Sequence, residues 1–385
     1  MSTSLVVEEL EELASSAAGG LTDFGSDDYR VGLQVLVDAA STSPHAGAAL
    51  DERVRRSSVA VLISRLASQA GWTARPECLA APLAPLVVVV GLPRSGTTAL
   101  HQILAADPAY QWIPAWLAPR PRPRPPQSNW GENADYRALI AAYQANGPNP
   151  FHDIAPGDPE ECLQVMSQSF VSMLWVSSAA VPDYHEWFID QDERASYRRY
   201  ADNLRLIGAD DPDRTWLLKN PSHTFGMAAM LAEFPDAVFV HIYRDPVESI
   251  VSGCSLIASM GLGAGTFTPS ELGAHRLRIW SLAAERMEAA RSAVTDRVFV
   301  DVDYRAFVAD PVAAVREVYA SLSRPLAPEA ERAMRQWMRE RPKDKHGVHR
   351  YQAADFGLTD TEIRDRMAAY IEHYGIRSLS RTEGV

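Results

Sequence analysis

The sequence predicts an α/β protein: a P-loop-like three-layer fold with a central parallel sheet flanked by helices, plus an α-helical extension at the amino terminus. Three observations carry that prediction. The run Leu86-Val-Val-Val-Val90 is continuously apolar and β-branched, as a strand buried on both faces requires. It breaks at Gly91 and resumes from Thr97 with helical spacing. The same change recurs where Val238–Tyr243 runs into Asp245-Pro246 and where Val298–Tyr304 runs toward Asp310-Pro311, and strands alternating with helices build parallel sheets.

With 385 residues, 46% of them hydrophobic and 22% charged, the chain can bury a large core. We divide it into a helical extension over 1–84 and an α/β domain over 85–385 that carries a helical insertion over about 112–210. The net charge of -12 argues against a nucleic-acid or anionic-membrane surface, so any anion site is a local pocket. The acidic start has no basic residue before Arg30, unlike a secretory signal, and no apolar run approaches a membrane span. Cys78, Cys162 and Cys254 lie far apart, as reduced structural thiols do. A cytoplasmic location is expected.

Helical spacing begins with Val6, Leu10 and Leu13 and continues, with breaks at Ser43-Pro44 and Gly47, to Ala70. After the first strand comes Gly91-Leu-Pro-Arg-Ser-Gly-Thr-Thr98. Glycines let the backbone turn so that N–H groups converge at a helix N-terminus, where an anion is favoured. Gly91 and Gly96 have the spacing of a nucleotide-binding loop, but Thr97 stands where that loop needs its lysine, and the cation is Arg94. The loop is therefore expected to hold a phosphate other than the β/γ pair of ATP.

A helix from Thr98 to Ala106 stops at Asp107-Pro108. Proline recurs too often over Trp112–Pro126 for helix or ladder, which predicts an extended surface loop, either a connector or a lid. From Asn129 to Gly208 the pattern is mainly helical, and Glu160–Trp175 reads as one buried helix. The short strand Thr215–Lys219 ends abruptly in Asn220-Pro-Ser-His-Thr224. Ligands of open α/β sheets sit at the carboxyl ends of strands, which singles out Lys219 and His223. Arg244 also ends a strand, followed by Asp245 as N-cap, Pro246 as first helical residue and Glu248 three residues after the cap. Lys343, Lys345, His346, His349 and Arg350 form a basic stretch suited to an anion, and a last helix runs from Thr359 to Tyr374.

The loop wording resembles the 5′-phosphosulfate loop of sulfotransferases that use 3′-phosphoadenosine 5′-phosphosulfate (PAPS), in the bacterial branch that writes P-R-[ST]-G-T-T, and is similar to that of tyrosylprotein sulfotransferases. The resemblance implies that Arg94, Ser95, Gly96, Thr97 and Thr98 hold the 5′-phosphosulfate, and that Arg244 and Ser252 hold the 3′-phosphate. It also implies that Lys219 meets the sulfuryl or bridging oxygen. The stretch His346–Tyr351 resembles the family's late loop over the nucleotide, placing His349, Arg350 and Tyr351 there. The implied reaction moves a sulfuryl group from PAPS to a hydroxyl or amine of a small acceptor, releases adenosine 3′,5′-bisphosphate and needs no metal.

Related sequences usually place a glutamate just past the loop helix, whereas Leu117 follows Trp116 here. Candidate bases are His152, His223, Glu160 and Glu161. Trp112, Trp116, Phe151, Phe170 and Tyr184 hint at an apolar or aromatic acceptor. The alternatives are a phosphoryl-transfer enzyme on the same loop scaffold, which would need Mg²⁺, and a non-catalytic nucleotide-binding protein.

Overall fold

Strand β1, Leu86–Val90, is buried along its whole length and forms the middle of the sheet. It is followed by β2 (Tyr110–Gln111), β3 (Thr215–Lys219), β4 (Val238–Tyr243) and β5 (Phe299–Asp303). The order is β2-β3-β1-β4-β5, and every pairing is parallel. Reversal of direction around β1 makes its carboxyl end a topological switch point, the place where an open sheet leaves a crevice. The computed structural model describes residues 5–147, 154–259, 267–296, 298–341 and 351–377.

Helices cover both faces. On one side Val87, Val89, Leu100, Leu104, Val240 and Val315 share a core, formed with the helices Thr97–Leu104 and Pro311–Ser321. On the other, Val88 and Val90 join a larger core. The amino-terminal helices Val7–Ala17, Asp28–Thr42 and Ala48–Ala74 enter that core through Leu10, Leu33, Leu36, Leu62 and Leu66, packing with Phe170, Trp175 and Tyr184. Arg65 is fully buried and binds the carbonyls of Phe24 (2.6 Å), Ser26 (2.6 Å) and Gln168 (2.9 Å) and the Asp28 carboxylate (2.7 Å).

Three expectations change. The helix expected over Glu160–Trp175 is broken into Leu163–Met166, a 3₁₀ turn at Ser167–Ser169 and Met173–Ser178. The break is at Phe170, whose φ of 58° cannot continue a helix and whose carbonyl accepts from Tyr184 Oη at 2.8 Å. The last helix divides at Met367 into Asp360–Arg366 and Ala368–His373. The proline-rich segment is a fastened connector: buried Arg124 donates to the Trp112 carbonyl (2.9 Å), Gln111 Oε1 (2.8 Å) and Asp211 (2.6 Å), and its own N–H reaches Ile207 O (2.9 Å). All three cysteines are buried and free. Among the described residues no helix is long and apolar enough to cross a membrane.

Candidate active site

The loop after β1 takes its shape from two glycines. Gly91 and Gly96 have φ of 150° and 97°. A Cβ on Gly91 would come within 2.3 Å of the Ile242 carbonyl, and one on Gly96 within 2.9 Å of the Tyr304 ring, so neither position takes a side chain without movement. Arg94 adopts φ 66°, a strain of about 1–2 kcal/mol for a residue with a Cβ. The loop curls over the N-terminus of the helix Thr97–Leu104, whose first amides have no acceptor within the helix. Ser95 Oγ is buried with no hydrogen-bond partner, an orphan that a phosphate oxygen would satisfy.

Arg244 braces this strained loop. Its Nη1 donates to the Arg94 carbonyl at 2.7 Å, its Nε donates to Glu248 Oε2 at 2.8 Å, and the guanidinium lies 4.3 Å above the Tyr304 ring. Tyr304 is thus packed between Gly96 and Arg244, a role that nothing in its own stretch of sequence announces. Arg94 Nε donates to Ser252 Oγ at 3.2 Å, on the helix Pro246–Ser259. Asp245 caps that helix as expected, accepting from Val247 N–H at 2.9 Å. These groups open onto a cleft of about 290 Å³ lined by Arg94, Arg244, Ser252, Ser255 and Tyr351.

A second cleft, of about 270 Å³, starts from the other side of Arg94. Thr97, Thr98 and Glu161 stand at its polar end, and Leu163, Met173, Leu174, Leu256, Ile257 and Trp280 form apolar walls. Lys219, level with Val89 of β1, is fully buried. Its ammonium donates to Thr98 Oγ1 (3.1 Å) and Glu161 Oε1 (2.5 Å). The neighbouring His101 has its pKa pushed down to about 3 by burial first and by the Lys219 charge second.

Glu161 reaches this place through distant backbone pairing. Ala115 N–H binds Asp158 O (3.0 Å), Trp116 N–H binds Pro156 O (3.0 Å), Glu160 N–H binds Ile113 O (2.8 Å), and Cys162 N–H binds Lys219 O (3.1 Å). The segment after β2 therefore delivers the carboxylate, while Leu117, where the resemblance led us to expect a glutamate, is buried. Glu160 Oε1 accepts the Glu161 amide at 2.8 Å.

His223, weighed as a base, lines neither cleft. It is buried with Nδ1 3.0 Å from Tyr197 Oη, and burial pushes its pKa down to about 3. His152, His349, Arg350 and Phe151 lie outside the described residues. Trp116, Phe170 and Tyr184 do not line the acceptor-side cleft as their aromatic character suggested: Trp116 packs edge-on against Trp130, while Phe170 and Tyr184 flank Trp175 in the core. Trp112 lies beside Arg124 at the edge of β2. Among the described residues no group of three or more His, Cys, Asp or Glu could hold a metal ion.

The loop thus borders two clefts, one where Arg94 and Arg244 stand with Glu248 and Asp360, the other largely apolar with Glu161 in its lining. Comparisons with known proteins place the chain in a family. The Stf3 proteins of Mycobacterium bovis and Mycobacterium tuberculosis, omega-hydroxy-beta-dihydromenaquinone-9 sulfotransferases, are 23% identical over 265 residues, 62% of this chain. The alignment spans 62% of their length. The crystal structure of sulfotransferase STF1 from M. tuberculosis H37Rv superposes with a TM-score of 0.85 at 37% identity, covering 95% of this chain and 99% of that one. STF9 from Mycobacterium avium gives a TM-score of 0.88 at 26% identity over 98% of both chains. Residues 85–329, from the last residue before β1 to beyond β5, match the model of the sulfotransferase family, and to that family this chain belongs.

Proposed function

We propose that the protein transfers the sulfuryl group of PAPS to a hydroxyl, or an amine, of a small acceptor with a largely apolar body. The observation that carries this reading is the position of Arg94, which lines both clefts beside the loop. A donor with phosphates at both the 3′ and 5′ positions of its ribose needs two anion subsites, and Arg94–Thr98 and Arg244 with Ser252 are placed to supply them within one cleft system. Tyr351 would flank the nucleotide.

PAPS, when bound, supplies an activated sulfuryl group. Glu161, held beside the Lys219 ammonium, takes the proton of the acceptor hydroxyl at its carboxylate oxygen. Lys219 and Arg94 are the cations available to charge developing on the oxygen that leaves with the nucleotide, and the buried position of Lys219 strengthens that interaction. Apolar walls beyond Glu161 keep water from competing with the acceptor. Stf3 acts on a hydroxyl at the end of a menaquinone derivative; an alcohol on an apolar skeleton fits this cleft by its chemistry.

Isothermal titration with adenosine 3′,5′-bisphosphate and with ADP, each with and without Mg²⁺, tests the reading. Tighter, metal-independent binding of the 3′,5′-bisphosphate is expected. Preferential, Mg²⁺-dependent binding of ADP would overturn it.

A further inference from the structure

The walls of the acceptor-side cleft contain a cation with nothing to pair with. Arg276, on the helix Pro269–Ser292, is 4% exposed and lines the cleft, yet its Nε and Nη1 are buried without a hydrogen-bond partner. That leaves Nη2 as the nitrogen turned to the open volume. One helical turn on, Trp280 also lines the cleft, 4% exposed, and its Nε1 is buried and unpartnered too. The guanidinium lies 5.2 Å from the Trp280 ring centre. Three donors therefore lie just behind one wall, closed to solvent, and no acceptor among the described residues answers them.

An unpaired buried charge is strongly destabilising, so a guanidinium in this state in the free protein points to a partner that arrives with a ligand. Burial pushes the Arg276 pKa down, but only to about 10, so the group is still a cation at neutral pH. The nucleotide's own phosphates are assigned to the loop, whose Thr97 and Thr98 also line this cleft, and to Arg244 in the other cleft. What remains for Arg276 is the acceptor. A planar guanidinium matches a carboxylate in two-point geometry, and the Trp280 indole adds a third donor of the kind that an oxyanion accepts.

Resting on the sulfotransferase reading above, we propose that the acceptor is a hydroxy acid: an alcohol on an apolar skeleton whose carboxylate is recognised by Arg276 with help from Trp280. Glu161 takes the hydroxyl end of such a molecule, and Arg276 binds its carboxylate. The pairing supplies orientation as well as affinity, since the aliphatic part of the lining, Leu163, Met173, Leu174, Leu256 and Ile257, makes no directional contacts.

The test uses the full-length protein saturated with adenosine 3′,5′-bisphosphate, titrated with a ladder of ω-hydroxyalkanoates and with their methyl esters. At least one acid is expected to bind roughly 10- to 100-fold more tightly than its ester, the range of a hydrogen bond to a charged group. Arg276→Met should remove that preference, leave the affinity for adenosine 3′,5′-bisphosphate unchanged, and keep or raise the melting temperature, because a poorly paired buried charge is replaced by an apolar chain of similar length. Trp280→Phe, which keeps the ring and loses only the N–H, should narrow the preference. No acid binding better than its ester overturns the proposal. So does a lower melting temperature for Arg276→Met, which would make the guanidinium structural, or a loss of adenosine 3′,5′-bisphosphate affinity in that variant, which would place it at a phosphate of the nucleotide. If instead the wild-type protein fails to bind adenosine 3′,5′-bisphosphate, it is the sulfotransferase reading that falls.

Discussion

Replacing Arg244 by alanine separates the two ends of the nucleotide. If its guanidinium meets the 3′-phosphate, truncation removes a charge-assisted hydrogen bond of about 1.5–3 kcal/mol. It also frees the Glu248 carboxylate, now 2.6 Å from Arg244 Nη2, to face the phosphate, which adds about 1 kcal/mol of repulsion in a partly solvated cleft. Together these two terms weaken adenosine 3′,5′-bisphosphate by about 2.5–4 kcal/mol. A nucleotide without a 3′-phosphate senses only the lost brace on the Arg94 carbonyl, about 0.5–1.5 kcal/mol. The informative quantity is thus the gap between adenosine 3′,5′-bisphosphate and adenosine 5′-monophosphate, expected to shrink by the terms that only the 3′-phosphate feels, about 2.5–4 kcal/mol, or roughly 10²- to 10³-fold in relative Kd. Isothermal titration of both nucleotides against both proteins measures it. Equal losses for the two would show that Arg244 serves the loop alone, and the assignment of the 3′-phosphate would be refuted.

Glu161→Gln keeps the shape of the site and removes the base; kcat should fall about 10²- to 10⁴-fold with nucleotide Kd nearly unchanged, and a variant retaining full turnover would exclude Glu161. Burial holds the pKa of His101 and His223 at about 3 and that of His185 at about 4. Native imidazoles stay neutral while unfolded ones protonate below about 6.5, so stability is complete above that pH and is lost on acidification, by about 2 kcal/mol per histidine at about pH 5. Denaturant unfolding followed across that range should show the steep slope. Glu193 works in the other direction: burial raises its pKa to about 8, so the native state holds a proton that the unfolded state gives up from about 4.5 upward, and stability falls as pH rises toward 8. Glu193→Gln should erase that decline and melt higher than wild type above pH 8.

The readable parts of this protein are those whose chemistry is local. A β-branched run, two glycines and an arginine within a dozen residues specify strand, anion loop and helix together, and Arg244-Asp245-Pro246 carries its own helix start. Glu161 is different. Its place depends on residues near Ile113 pairing with residues near Asp158, and no periodicity within either segment records that. Imidazole pKa values favoured His223 at the level of sequence, but its enclosure beside Tyr197 removes that advantage. Arg276 left a signal that was open to reading: it interrupts the stripe Leu272, Arg276, Trp280, Ala283, Met287, where a charge on the buried face of a helix needs a reason. Tyr304 left none, since a tyrosine closing a strand is ordinary.

The wall that meets the acceptor stands on foundations outside the sheet. Residues Leu163–Ser178 are anchored from behind by the amino-terminal helices: Gly32 abuts the Phe170 backbone so closely that a Cβ would lie 2.5 Å from its carbonyl, and Gln168 Nε2 donates to Ser64 Oγ and Ser68 Oγ at 2.9 and 2.8 Å. On the function proposed above, substitutions in those first helices, remote from any reacting atom, retune which acceptors bind while leaving the nucleotide's half untouched. Evolution, or an engineer, has a dial for acceptor choice at the end of the chain that carries no chemistry.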